Sequence, residues 1–513
     1  MNQNKNAVWR DPLTIAWLVL GAFLLVNVAI TAFKPLNKFM NPDEMQHIHI
    51  AWLIAHGDII YRDFWEHHGP VYGLLNGALV YLTNAEPTLR ILYWSRFLSL
   101  LVTGFSLYFT WLIARNLSLS RIGAFIAVVA LSATFVTQTR GIEMRPDPLQ
   151  SLFWIAGLYC LIRNQNERNL KLPIAAGALF TLSILANAKA GLGPFFVVVY
   201  YLTGHWLCDL KWADTWRDMR GMVIGACIAA FPFIVYFLAN GALIDFLYYS
   251  FWWNLEVVFY WSATELHFEN HLRTLSVSAQ NLRRFITEQA PFLLLSLVGT
   301  LYWVARLRKT EDAVANKRNW LFLIATFGAS LGWLLDLYTQ YFLMFLPLWA
   351  ILVSVAITST VQFIADRYRP AGIAVAAIIA VASIAGMIGI ALELSFFYKS
   401  QKLIAQEQFT ERFVELTERD EPAGLIWSQC GGYMFNEHVG YYWAALSDID
   451  EIVKAMTGEH PHGQGFIDEM EERRVNYVIG MDAWSTDGMS DEAMGYLREN
   501  FRYTECLWTR KKH

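Results

Sequence analysis

Charge is scarce in this chain. Of its 513 residues 16% are charged, against about a quarter in an ordinary soluble domain, while 55% are hydrophobic and 15% aromatic. That balance excludes a soluble globular enzyme and points to a polytopic membrane protein. Positive charge is not in excess either, because the formal net charge is −4, so no basic surface invites nucleic acid. Cysteines are few and scattered, at 160, 208, 227, 430 and 506. Without CxxC spacing they indicate neither a zinc knuckle nor a disulfide framework, and a Cys430 to Cys506 pair stays open. There is no Gly-rich phosphate loop, no internal repeat and no low-complexity segment. The missing nucleotide motif weighs against a nucleotide-powered pump.

Apolar runs are what the chain has instead. The first, LTIAWLVLGAFLLVNVAITAF at 13–33, follows Lys5 and Arg10 much as a signal peptide would. It is a full span in length and no small-residue cleavage site follows, so it reads as an anchored helix. Further runs lie at 91–114, 122–138, 148–162, 172–188, 191–207, 221–239, 289–305, 320–336, 340–358 and 371–392, which makes about eleven spans. VYGLLNGALVYL at 71–82 has only 12 residues and suits an interfacial or re-entrant segment better than a span. Leaving it out satisfies the positive-inside rule. From the second span to the last, fifteen Lys and Arg then fall in the cytoplasmic connections and six in the opposite-side connections between the same spans, although the 240–288 loop is the longest of these. The expected topology has the N-terminus cytoplasmic and the C-terminus outside.

Beyond 392 the runs stop. QKLIAQEQFTERFVELTE reads as an amphipathic helix, GLIWSQ and NYVIGM as strands, GFIDEMEERR as a helix between them and FRYTECLWTR as a closing strand. The expected organisation is therefore an all-α transmembrane domain over 1–395, with a first outer loop at 34–89, and a small α/β domain over 396–513 on the outer face.

Chemistry gathers in the outer loops. NPDE at 41–44 is a good helix start, with Asn41 as N-cap, Pro42 at N1 and Glu44 at N3. A cap does not explain the sequel, where His47, His49, His56, His67 and His68 interleave with Asp58, Asp63 and Glu66. TRGIEMRPDPLQ sets Arg140, Glu143, Arg145 and Asp147 between two spans, as an interface loop or a site. LANAKAGLGP carries Lys189, the sole cation of its hairpin on the outer side; snorkelling to headgroups is the alternative to function. FLYYSFWWNLEVVFYWSATELHFENH combines aromatics with Glu256, Glu265, Glu269, His267 and His271, fitting either an interfacial belt or a floor for sugar rings or isoprenoid chains. LLDLYTQYFLMFLPLWAILV places Asp336, Tyr338, Gln340 and Tyr341 at the outer end of a span. Acids near a reacting carbon and cations near a departing phosphate are what transfer from a lipid-linked phosphate donor requires.

The order and spacing of NPDE, GDIIYRDFWEHHGP, RPDPL, LANAKAG and TQYFLMFLPLWAIL resemble those of the bacterial GT-C glycosyltransferases, in particular the protein mannosyltransferase and aminoarabinose transferase group. The resemblance covers roughly 13–392 and implies a polyprenyl-phosphate monosugar donor and transfer with inversion. It implies that 71–82 is a juxtamembrane helix. It assigns Asp43 as the base, with Glu44 beside it, Asp147 as the acid after the third span and Lys189 near the donor phosphate. One departure is clear: the late motif commonly carries a basic residue just before its tyrosine, and here Gln340 precedes Tyr341. Arg145, His67 and His68 are the residues expected to supply phosphate contacts, and Tyr338, Gln340, Tyr341 and Glu265 to bind substrate.

The implied enzyme sits in a bacterial inner membrane, its C-terminal domain periplasmic or extracellular, with no nucleic-acid partner. Its acceptor is a hydroxyl of a lipid, glycan or protein, and it requires no cofactor. A divalent ion held by Asp43 and Asp147 stays open. Two other classes compete. A transporter or flippase for lipid-linked sugars would use the same charged surfaces for binding alone, but it calls for polar residues deep in several spans, where this chain is apolar. A histidine-built metal site is disfavoured, because none of the pairs in the first loop shows the i, i+4 spacing of a helical zinc pair.

Overall fold

The computed structural model describes residues 12–83, 88–256, 266–307, 310–331, 339–367, 398–416, 423–425, 433–441, 453, 458, 462–479, 490–504 and 507–512. The expected span at 371–392 lies outside them, as do Glu265, Asp336, Tyr338, Cys430 and Cys506. The chain folds as two compact units. The first gathers residues 1–35, 97–231 and 277–398, and the second 36–96, 232–276 and 399–513.

Among the described residues from 12 to 239 ten α-helices follow one another: α1 (Pro12–Asn37), α2 (Pro42–His56), α3 (Pro70–Leu82), α4 (Arg90–Asn116), α5 (Arg121–Ser132), α6 (Phe135–Thr139), α7 (Pro146–Glu167), α8 (Lys171–Ala186), α9 (Leu192–Leu207) and α10 (Trp212–Ala239). Helices Leu266–Leu307, Ala313–Leu331 and Leu346–Arg367 follow, the last preceded by a 3-10 turn at Thr339–Met344. Among the described residues four helical stretches are long and apolar enough to cross a membrane: α4, α10, Gln289–Leu307 and Leu346–Ile364. The run expected to be one span at 122–138 is broken. Helix α5 ends at Ser132, and Thr134 starts α6 by accepting the Thr137 N–H on its hydroxyl. Side chains that serve as helix caps compete with helix continuation, and the apolar run conceals that.

In the first unit α8 and α10 touch backbone to backbone. A Cβ on Gly177 would lie 2.0 Å from the Met222 carbonyl oxygen, and one on Gly225 1.9 Å from that of Ile174. Only glycine allows such an approach, the usual device of helices packed in lipid. The core of this unit includes Trp154, Tyr200, Tyr201, Trp303, Phe322 and Phe342.

In the second unit α3 has 13 residues, a length of about 20 Å at 1.5 Å per residue and too short for a bilayer core of about 30 Å. It is the juxtamembrane helix expected of 71–82. The C-terminal part holds helices Gln401–Leu416, Gln464–Glu472 and Asp491–Asn500 and a four-stranded sheet. Its strands β1 (Ala423–Leu425), β2 (Tyr477–Ile479), β3 (Phe501–Thr504) and β4 (Leu507–Arg510) stand in the order β1-β2-β4-β3, with β1 parallel to β2 and the other pairs antiparallel. FRYTECLWTR is thus two strands paired as Phe501 with Arg510 and Thr504 with Leu507, not one. A ten-residue strand would be unusually long, and folding back lets Phe501 and Trp508 both reach the core. Residues far apart in sequence join here. Gln406 brackets Met40, accepting its N–H and donating to its carbonyl, both at 2.9 Å. The Trp65 N–H donates to the Tyr441 carbonyl at 3.0 Å.

Candidate functional site

The second unit holds Asp43, Glu44, His67 and His68. Asn41 caps α2 through a full capping box: its side chain accepts the Glu44 N–H at 3.1 Å, and Glu44 accepts the Asn41 N–H at 3.2 Å. Glu44 is also engaged by a guanidinium. Arg96 donates from Nε to Oε1 at 2.8 Å and from Nη2 to Oε2 at 2.7 Å, with Arg96 1% and Glu44 0% exposed. Arg96 further donates to the carbonyls of Lys38 and Phe39. Glu44 is thereby committed to structure, and Asp43, half-buried on the first turn of α2, is the neighbouring carboxylate nearer to solvent. Arg96 went unassigned in the sequence, although a lone arginine inside an apolar run is its own signal.

Glu66 organises the histidines. Its Oε1 accepts the backbone N–H groups of His67 and His68 at 2.9 and 2.8 Å and the His68 Nδ1 at 2.6 Å; its Oε2 accepts from Gln46 at 3.3 Å. Burial alone would raise the Glu66 pKa, but His68, then His67 and His47, outweigh it and hold the carboxyl well below its usual range. The His47 ring lies 5.3 Å from that of His68, and Trp65 stacks on His67 at 5.0 Å. Donor atoms of Glu66, His67 and His68 fall within 4.8 Å of one another, and imidazole with carboxylate is a donor set suited to zinc. The i, i+4 criterion misses this group because residues 66–68 lie in a loop, where adjacent side chains can converge. Nearby, His49 and His438 meet at 3.0 Å, Nε2 to Nδ1. Burial lowers His49 to about 3 and drives His438 well below its ordinary value, so both are neutral at pH 7.

The first unit holds Arg145, Asp147, Lys189, Gln340 and Tyr341. Arg145 is the N-cap residue of α7, Pro146 follows at N1, and Asp147, 4% exposed, stands in the first turn where a carboxylate complements the helix dipole. Glu143, fully buried, binds two arginines: Arg140 Nη1 reaches its oxygens at 3.0 and 2.9 Å and Arg145 Nε its Oε2 at 2.7 Å. The loop is pinned by Thr103, which donates to the Gly141 carbonyl at 2.6 Å. A Cβ on Gly141 would stand 2.5 Å from the Thr137 carbonyl oxygen, so the turn demands glycine.

Lys189 sits in a 3-10 turn whose N-cap, Asn187, accepts the Lys189 N–H at 3.2 Å. Its ammonium is engaged by an aromatic side chain. It donates to the Tyr341 hydroxyl at 2.5 Å and lies 3.9 Å from the ring centroid. The turn bearing Tyr341 is held by Ser151, which donates to the Leu343 carbonyl at 2.7 Å, and by Gln150, which reaches the Met344 sulfur at 3.6 Å. Gln340, the departure in the late motif, is buried there at 9% exposure.

Comparison with known proteins bears on the whole. The family model described as dolichyl-phosphate-mannose-protein mannosyltransferase matches residues 67–236. No curated protein sequence matches. Among solved structures, ArnT from Cupriavidus metallidurans bound to undecaprenyl phosphate is similar with a TM-score of 0.61 at 12% identity, over 96% of this chain and 97% of that one. The oligosaccharyltransferase AglB from Archaeoglobus fulgidus in complex with an inhibitory peptide and a dolichol-phosphate gives 0.58 at 12%, over 97% and 74%. The Archaeoglobus fulgidus enzyme with Zn and sulfate gives 0.58 at 13%, over 90% and 67%. At such identities the structures speak for the fold alone. Family match and fold together bear out the resemblance carried by the ordered motifs, that of a multi-pass membrane protein with the architecture of the GT-C glycosyltransferases.

Proposed function

We propose that the protein transfers a monosaccharide from a polyprenyl-phosphate donor to a hydroxyl acceptor on the outer face of the membrane, with inversion at the anomeric carbon. The observation that carries this reading is the ammonium of Lys189 held on Tyr341, at the positions where the motifs called for a donor-phosphate cation. The undecaprenyl phosphate and dolichol-phosphate bound in the similar structures support the class of donor. The acceptor oxygen attacks the anomeric carbon and the bond from that carbon to the phosphate oxygen breaks. The electron pair leaves with polyprenyl phosphate, and the acceptor proton passes to Asp43. A cation beside the phosphate stabilises the charge as it develops in a low-dielectric site. Lys189 takes that role, with Arg145, His67 and His68 as further contacts, and Asp147 is the second acid of the site.

Glu44 sets the position of Asp43 through the capping box. Tyr338, Gln340, Tyr341 and Glu265 contribute to substrate binding. Residues 1–395 form the catalytic membrane domain, with the N-terminus cytoplasmic, and 396–513 lie on the outer side of a bacterial inner membrane. The reaction as written consumes no cofactor, and a lipid, glycan or protein hydroxyl can serve as acceptor. Incubating the purified protein with a panel of polyprenyl-phosphate sugars and measuring released polyprenyl phosphate tests the reading. Release that is lost in Asp43→Asn, in protein that still inserts and folds, is the expected result. An absence of release with every donor favours binding without transfer, as in a flippase for lipid-linked sugars.

A further inference from the structure

The loop between α6 and α7 contains a second cation directed at the same 3-10 turn. Arg140 donates from Nε to the Thr339 hydroxyl at 3.2 Å, one residue from Gln340 and two from Tyr341. Its Nη1 is fixed on both oxygens of Glu143, which is 0% exposed and also binds Arg145. Its Nη2 makes no hydrogen bond among the described residues, and the side chain is 29% exposed. A guanidinium held through Nε and Nη1 keeps the two N–H groups of Nη2 for an anion, presented in a fixed orientation. Both clamps are firm: Glu143 is buried, Gly141 is tied to Thr103, and Thr339 opens a turn held by Ser151 and Gln150. Glu143 divides one negative charge between two arginines, so the trio itself sums to one positive charge.

We propose that Arg140 is a phosphate-binding residue for the polyprenyl-phosphate donor, and that Glu143 and Thr339 are its positioning residues. This rests on the transferase reading above. It also accounts for a neutral Gln340 just before Tyr341: the cation at this turn comes from another loop.

The test is binding of undecaprenyl phosphate, and of uncharged undecaprenol, to the purified full-length protein and its variants. Arg140→Gln is expected to weaken undecaprenyl phosphate on the order of ten- to a hundredfold, the worth of a charged hydrogen-bonding contact, and to leave undecaprenol unchanged. Arg140→Lys keeps the charge without the planar guanidinium that reaches Thr339, Glu143 and the ligand together, and falls between. Thr339→Val, which removes only the hydroxyl, weakens the phosphate ligand several-fold; it also serves should Arg140→Gln fail to fold. Undecaprenyl phosphate bound within twofold of wild type by folded Arg140→Gln or by Thr339→Val overturns the proposal, as does equal weakening of both ligands. A wild-type protein that binds no polyprenyl phosphate overturns the transferase reading together with it.

Discussion

Removing the guanidinium of Arg96 should damage folding before it damages chemistry. In Arg96→Met the carboxylate of Glu44, 0% exposed, loses the guanidinium that binds both of its oxygens, and the carbonyls of Lys38 and Phe39 each lose a hydrogen bond from Arg96. Breaking a buried pair on one side costs about 3–5 kcal/mol. The unit affected comprises residues 36–96, 232–276 and 399–513. For a body of that size this corresponds to a melting temperature lower by roughly 6–20 °C. Glu44→Gln alone should cost a comparable amount, since it strands Arg96. The double variant Glu44→Gln/Arg96→Met removes both charges together, and its loss should fall short of the summed single losses by about 2–3 kcal/mol, as expected for residues in direct contact. Thermal unfolding in detergent, followed by tryptophan fluorescence, supplies the cycle. Polyprenyl phosphate release per folded molecule supplies the second readout, and the double variant should retain most of it. Strict additivity would refute the coupling, and a folded but inert double variant would place Glu44 in the chemistry itself.

Asp43→Asn should lower transfer on the order of 10² to 10⁴ fold, the usual worth of a positioned base, with melting temperature and donor binding near wild type; a fully active variant assigns the base elsewhere. Lys189→Met should reduce release more severely than Tyr341→Phe, because the latter removes only the hydroxyl and leaves the ring under the ammonium, and equal effects in steady-state assays would argue against a phosphate role for the lysine. Stability should fall on acidification: His49 has a lowered folded pKa, so below about pH 6.5 the unfolded chain binds more protons, and the stabilisation present above that pH is lost progressively toward about 3. Glu66, depressed as well, acts in the same direction at lower pH. His49→Phe should flatten the pH dependence of the melting temperature between about 3 and 6.5, and an unchanged profile would remove the pair as its source.

What could be read from the sequence was whatever is encoded locally. The NPDE cap of α2 and the short 71–82 helix follow from propensity and length, and the structure has both. The helix Asp491–Asn500 was equally readable, with Ser490 as cap and Asp491 and Glu492 in its first turn, but alternation of nearby strands masked it. Contacts across the chain were not accessible. Lys189 finds Tyr341 152 residues away and Arg140 finds Thr339 199 away, pairings set by how helices pack and not by any spacing. For the same reason Arg140 and Glu143 looked like one more charged interface loop, and Glu66, between two aromatic contacts and a histidine pair, gave no periodic signal.

The bracket that Gln406 closes around Met40 has a consequence for how this protein can be cut and recombined. The segment after the spans looks detachable on paper, yet its first helix completes the hydrogen bonding of the backbone just before α2, and Tyr441 does the same for Trp65. A chimera that exchanges only 396–513 would inherit a first loop made for a different partner. The transplantable piece is the pair, 36–96 together with the tail, so an insertion or deletion in either one must be answered in the other.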